Sequence, residues 1–96
     1  MKDENVNGKR VRCYDNGGRS CDRYTVAYMD EPKERDGTTP MVGMNHEPFH
    51  PQGFGQHCSG HPGRHLGKRI KFADLPEDCR KLVENEVEFN EDGSIA

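Results

Sequence analysis

Apolar and polar positions follow two different periods along this chain. Residues 9–14 (KRVRCY) and 21–29 (CDRYTVAYM) are rich in β-branched and aromatic side chains and predict two strands. Between them, Asp15-Asn16-Gly17-Gly18 is a turn signal, because Asn and Gly accept the positive φ of tight hairpins. Residues 41–44 (MVGM) predict a third short strand, and 66–72 (LGKRIKF) a fourth, with Ile70 and Phe72 on one side and Arg69 and Lys71 on the other. The period then changes. Over residues 74–89, Leu75, Cys79, Leu82, Val83 and Val87 form an apolar stripe of helical spacing. Asp74 is placed to cap this helix, with Pro76 in its first turn and Glu77 completing a capping box. The stripe should pack on the sheet. The predicted fold is α+β: a small antiparallel sheet, made of the N-terminal hairpin and two short strands, covered by one C-terminal helix. Residues 1–8 are polar and predict a disordered N-terminus, 9–89 a single domain, and 90–96 a flexible tail.

The hairpin register carries chemistry. A three-residue turn at 16–18 sets Cys13 opposite Cys21 and Arg12 opposite Asp22, whereas a two-residue turn sends the thiols to opposite faces. The hydrophilic stretch 30–40 reads as a loop.

Residues 45–68 break the pattern. All five histidines, His46, His50, His57, His61 and His65, lie there with Cys58 at the centre. Gly53, Gly55, Gly60, Gly63 and Gly67 and Pro48, Pro51 and Pro62 interrupt the segment too often for a helix or long strand. It reads as a long His/Gly/Pro-rich loop, with Phe49 and Phe54 anchoring its first half in the core.

Composition makes a metal the first candidate for holding such a loop. The chain has 96 residues, is 30% hydrophobic and contains no tryptophan, so a core of this size is a marginal source of stability. The start of the chain carries no apolar run of signal-peptide type, and no stretch is apolar enough to span a membrane. A cytoplasmic protein with reduced thiols is expected, in which a Cys13–Cys21 disulfide fits poorly.

Cys58-Ser59-Gly60-His61 has the spacing of a metal knuckle: two ligands flanking two small residues. Structural zinc takes four ligands, and Cys13 with Cys21 would supply the second pair. The expected zinc site is therefore Cys13, Cys21, Cys58 and His61, with His57 and His65 as substitutes for His61. Cys79 belongs to the helix stripe and should simply pack. Two catalytic alternatives use the same segment: water activation by a metal on His50 and His57 with Glu47 as base, or Cys58 as a nucleophile beside His57. Neither has a defining spacing, and no phosphate-binding loop of Walker type is present.

Charge is unevenly placed. Net charge is −3, made of +3 over residues 1–72 and −6 over residues 73–96. The acidic end is a surface for a basic partner. Lys9, Arg10, Arg12, Arg64, Lys68, Arg69 and Lys71 form a basic set, but an acidic protein lacks the overall footprint of a nucleic-acid binder.

The phrases YDNGG (14–18), DRYTV (22–26), EPFHPQGFGQH (47–57), HLGKRIKF (65–72) and DLPEDCRKLV (74–83) resemble a group of small proteins from phages and prophages. The resemblance covers most of residues 11–83. It implies a phage-type origin and brings no activity with it. Cys13, Cys21 and Cys58 depart from the pattern, where aliphatic residues or glycine are usual, so a metal on them would be particular to this protein. Phage proteins of this size without a catalytic motif are often inhibitors of host defence, anti-CRISPR proteins among them. The expected function is thus non-enzymatic: a zinc-binding protein that binds and inhibits a host protein, such as a CRISPR nuclease with a basic surface. The alternative is a metal-dependent hydrolase or nuclease built on the histidine-rich segment.

Overall fold

The computed structural model describes residues 3–20, 22–51, 53 and 55–91, with backbone alone for 88–91. The architecture is α+β. Six antiparallel strands form one sheet: β1 (Glu4–Val6), β2 (Lys9–Asp15), β3 (Tyr24–Tyr28), β4 (Thr39–Met44), β5 (Gly55–Gly60) and β6 (Lys68–Ile70). One helix, α1 (Glu77–Glu91), follows. The strand order is β1-β2-β3-β4-β5, and β6 also pairs with β2. β1 takes the half of β2 around Arg10 and Val11, and β6 takes the half from Cys13 to Asp15, so the two share one edge. Among the described residues no helix is long and apolar enough to cross a membrane.

The core lies between the sheet and α1. Val11, Cys13, Tyr24, Val26, Tyr28, Val42 and Met44 point to this side and meet Leu75, Cys79, Val83 and Val87. The expected helix stripe is therefore the packed stripe, with Leu82 only partly buried at its margin. Cys79 is fully buried, and its thiol donates to Asn45 O at 3.2 Å. Pro76, not Asp74, directly precedes α1, and its carbonyl accepts the Arg80 N–H at 3.0 Å. Asp74 instead closes a short 3-10 turn, where its carboxylate accepts the Lys71 N–H at 3.2 Å.

Three expectations are corrected. Residues 4–6 are not disordered. Val6-Asn7-Gly8-Lys9 makes a two-residue hairpin, with Asn7 at φ 51° and Gly8 at φ 89°, and Val6 reaches the core. Polar contacts hold β1 down: Asp3 accepts from Arg12 Nε at 2.5 Å, and Glu4 accepts the Phe72 N–H at 2.5 Å.

The second correction is the β2–β3 register. Asp15 pairs with Tyr24 and Cys13 with Val26, so the connection spans 16–23; Arg12 faces Ala27 rather than Asp22. The cause is the Asn16 side chain. Its Oδ1 accepts from Gly18 N (2.8 Å) and Arg19 N (3.0 Å), while Nδ2 donates to Ser20 Oγ (2.9 Å) and Asp22 O (3.3 Å). These bonds stabilise a wide loop where the glycines alone would favour a tight one. Cys21 lies outside the described residues.

The third correction concerns the long histidine-rich loop. Residues 55–60 form β5, paired with β4 from Met44↔Gly55 to Thr39↔Gly60. Period-2 alternation is hidden there because the edge strand is exposed and its side chains are small or polar. Phe49 is 55% exposed and anchors nothing, while Phe54 and the tail at 92–96 lie outside the described residues.

Asp3 gives a pH-dependent test. The Arg12 hydrogen bond, above all, holds its carboxyl below the ordinary 3.8. A depressed folded-state pKa contributes stability above the unfolded value and loses it as pH falls through the folded one. Asp3→Asn should therefore lower unfolding free energy by about 1 kcal/mol near neutral pH. In urea titrations the difference from the parent protein should shrink as pH falls below the unperturbed value; a pH-independent difference would contradict the ion pair.

Candidate functional site

Alternation along β5 settles which of its side chains share a face. His57 is opposite Val42 and turns toward α1, whereas Cys58 is opposite Met41 on the other side of the sheet. His57 Nε2 lies 2.6 Å from Glu86 Oε1. The second oxygen of Glu86 accepts a short hydrogen bond from the Tyr28 hydroxyl. Burial, and then the neighbouring Glu86 carboxylate, push the Tyr28 phenol far above its ordinary range, so it stays protonated and donates. Glu86 thus joins a buried phenol of the sheet, an exposed imidazole of the edge strand, and the helix. This cluster clamps β5 to α1. It is not a nucleophile–base site with Cys58, because neighbouring residues of a strand point to opposite faces.

The expected zinc ligands are dispersed. Cys13 is 2% exposed in the helix-facing core, and burial pushes its thiol up to about 12. Cys58 is exposed on the opposite face, three strands away, on the order of 14 Å along the sheet. Burial, and then Asp22, also raise the Cys58 thiol. Cys58, Ser59 and Gly60 are extended within β5, so the knuckle turn toward His61 does not form. Cys13 and Cys58 do not fit a shared ion in this fold. Among the described residues no three His, Cys, Asp or Glu side chains converge as a metal would require. The histidines are likewise spread out. His46 lies 6.3 Å from the Tyr24 ring, His50 is in the 47–53 turn, and His65 is in a 3-10 turn at 64–66. His61 follows β5 near Asp36, whose carboxyl is lowered mainly by the Thr38 hydroxyl.

Two surfaces stand out instead. The first is the outward side of α1, where Glu77 and Glu84 are exposed and Asp78 is half-buried. Lys81 is taken up by Glu77 at 3.4 Å, and Arg80 donates to Ala73 O at 3.1 Å, so the two cations of the helix are turned to local partners. Its C-terminal half reads ENEVEFNE, with no basic residue in the last turn.

The second is a cleft on the sheet face away from the helix. Residues 61–67 leave β5 and return to the far edge of β2 to begin β6. Their crossing brings Pro62, Gly63 and Arg64 beside Arg12, Tyr14, Gly67, Lys68 and Arg69 around a cavity of about 440 Å³. Glycine is required at Gly67: φ is 114°, and a Cβ would stand 2.4 Å from Asp15 O. Asp3 braces two of the arginines, at 2.5 Å from Arg12 and 3.8 Å from Arg69. The Arg69 guanidinium lies 5.6 Å from the centre of the buried Tyr14 ring. The basic set read from the sequence therefore divides. Arg12, Arg64, Lys68 and Arg69 share the cleft, whereas Arg10 is held by Asp30 at 2.7 Å. Clustering of the four is tertiary, and no spacing along the chain announces it. Glu86 and Tyr28, 58 residues apart, were equally out of reach of local pattern.

No protein-family model matches the chain, and no curated protein or solved structure shows significant similarity to it.

Two substitutions at Cys13 separate packing from metal ligation. Cys13→Val keeps an apolar group of similar size and should cost under about 1.5 kcal/mol. Cys13→Ser buries a hydroxyl and should cost about 1–3 kcal/mol in thermal or chemical unfolding. A zinc equivalent in the native mass spectrum that both substitutions remove would contradict Cys13 as a packing residue.

Proposed function

We propose that this protein works by binding, as a phage-type inhibitor that sets the acidic outward side of α1 against the basic surface of a host defence protein, a nucleic-acid-handling nuclease of CRISPR type. The observation that carries the reading is the make-up of α1. Its inner side is spent on the core through Cys79, Val83 and Val87. Among the described residues its outer side carries Glu77 and Glu84, and the sequence of its last turn holds no base, so the helix forgoes the few tenths of a kcal/mol that a cation there would contribute. The helix dipole accounts for Glu77 and Asp78 in the first turn but not for Glu84; on this reading such carboxylates take the place of phosphates in a nucleic-acid channel, and the opposed charges speed and orient association. The Glu86 clamp and the buried stripe hold the helix rigid, so little ordering entropy is lost on docking. The phage-type phrases of the sequence support the same reading.

The double variant Glu77→Lys, Glu84→Lys tests it in cells and in solution. In a plasmid-protection panel of defence nucleases, the parent protein should protect against at least one nuclease and the variant should not. With that nuclease purified, association of the variant should be slower by roughly tenfold or more at low salt, with the gap closing as salt rises. Protection against no nuclease, or equal protection by a folded variant, would overturn the proposal.

A further inference from the structure

The geometry points to a second binding site, in the cleft opposite α1, for a small ligand bearing a pyrophosphate-type group. This site is separate from the helix surface and stands without it.

Four cations line the cavity, Arg12, Arg64, Lys68 and Arg69. The carboxylates facing them are Asp3, behind Arg12 and Arg69, and Asp15 at the end of β2. Asp15 is occupied by Arg23, whose Nε lies 2.9 Å from it; the Arg23 hydrogen bond is the main cause of its lowered pKa, with Lys68 a lesser one. One carboxylate is thus set against four cations, and the cleft is strongly positive in a protein whose net charge is −3. Among the described residues Arg64 and Lys68 form no ion pair, and both are exposed at the mouth.

The cations are of two kinds. Arg12 and Arg69 are fixed: Asp3 holds both, and Tyr14 supports Arg69 from below. Fixed guanidinium planes lose little freedom on binding and offer paired N–H donors that match phosphate oxygens. Arg64 and Lys68, on the crossing segment and the start of β6, line the same cavity and are exposed. This pairing of a braced floor with an exposed rim suits a compact ligand of several negative charges better than a single carboxylate.

Size and lining argue against a nucleic-acid strand. About 440 Å³ lies in the range of small-molecule pockets. Its one aromatic among the described residues, Tyr14, is 3% exposed and gives no face for a base to stack upon.

Calorimetric titration of the full chain with inorganic pyrophosphate, ADP and inositol hexakisphosphate tests the site, with a single-stranded oligonucleotide as a fourth probe. Pyrophosphate or ADP should bind, and the ranking between them identifies the source of the group; binding of inositol hexakisphosphate alone, which has no P–O–P linkage, would overturn the assignment. Arg64→Ala with Lys68→Ala should raise Kd on the order of tenfold or more, as expected from losing charge-assisted hydrogen bonds. Lys33→Ala with Lys81→Ala removes the same charge elsewhere and should leave Kd within about twofold. Absence of binding, equal loss in the control pair, unchanged affinity in the cleft pair, or binding of the oligonucleotide alone would each overturn the assignment.

Discussion

The free edge of β2 is the constraint on which both surfaces of this protein depend. β2 pairs with β3 along one side, and its other side must satisfy a full row of backbone groups. Two short strands divide that row between them, β1 from the start of the chain and β6 from near its end. Neither has more than three residues, and neither would hold alone. Asp3 and Glu4 tie them together, the first through Arg12 and Arg69 and the second through the Phe72 amide. Completing the edge with β6 obliges residues 61–67 to cross from β5, which makes the cleft. It also fixes where the chain emerges to enter α1, which makes the acidic surface.

Legibility of this fold from sequence followed the length scale of the interaction. β2, the body of β3, β4, β6 and α1 announce themselves by local period, and the helix stripe proved to be the packed one. β5 did not, because an exposed edge strand of Gly, Gln, His, Cys and Ser has no apolar face to alternate. β1 carried a readable signal in Asn7-Gly8, flanked by Val6 and by the start of β2, and only the surrounding polarity hid it. The register around Cys13 differs from the expected one because Gly17-Gly18 is not the turn. Asn16 decides the loop through four side-chain hydrogen bonds, and their reach depends on the chain having already turned.

The candidate site illustrates the same point more sharply. Spacing suggested a metal on Cys13, Cys21, Cys58 and His61, yet a strand sends alternate residues to opposite faces, and Cys13 and Cys58, the two of these cysteines among the described residues, belong to different faces three strands apart. Sequence neighbours within 45–68 are separated in space, and residues as distant as Asp3 and Arg69 are joined. Charge, which looked like a simple gradient from a basic beginning to an acidic end, becomes a division between two sides of the sheet. The helix carries the acid on one side, and the cleft gathers base on the other. Two surfaces of opposite sign, kept apart by a sheet, would let the two proposed ligands bind without competing for one surface.

Amide NMR resolves that division residue by residue. A two-dimensional spectrum would be followed during titration first with pyrophosphate and then with an oligolysine peptide, the latter standing in for a basic protein surface. Pyrophosphate should move the amides of residues 12–14 and 63–69, and oligolysine those of α1 (Glu77–Glu91), each with little effect on the other group. Shifts from both ligands on the same amides, or pyrophosphate shifts centred on α1, would contradict that division.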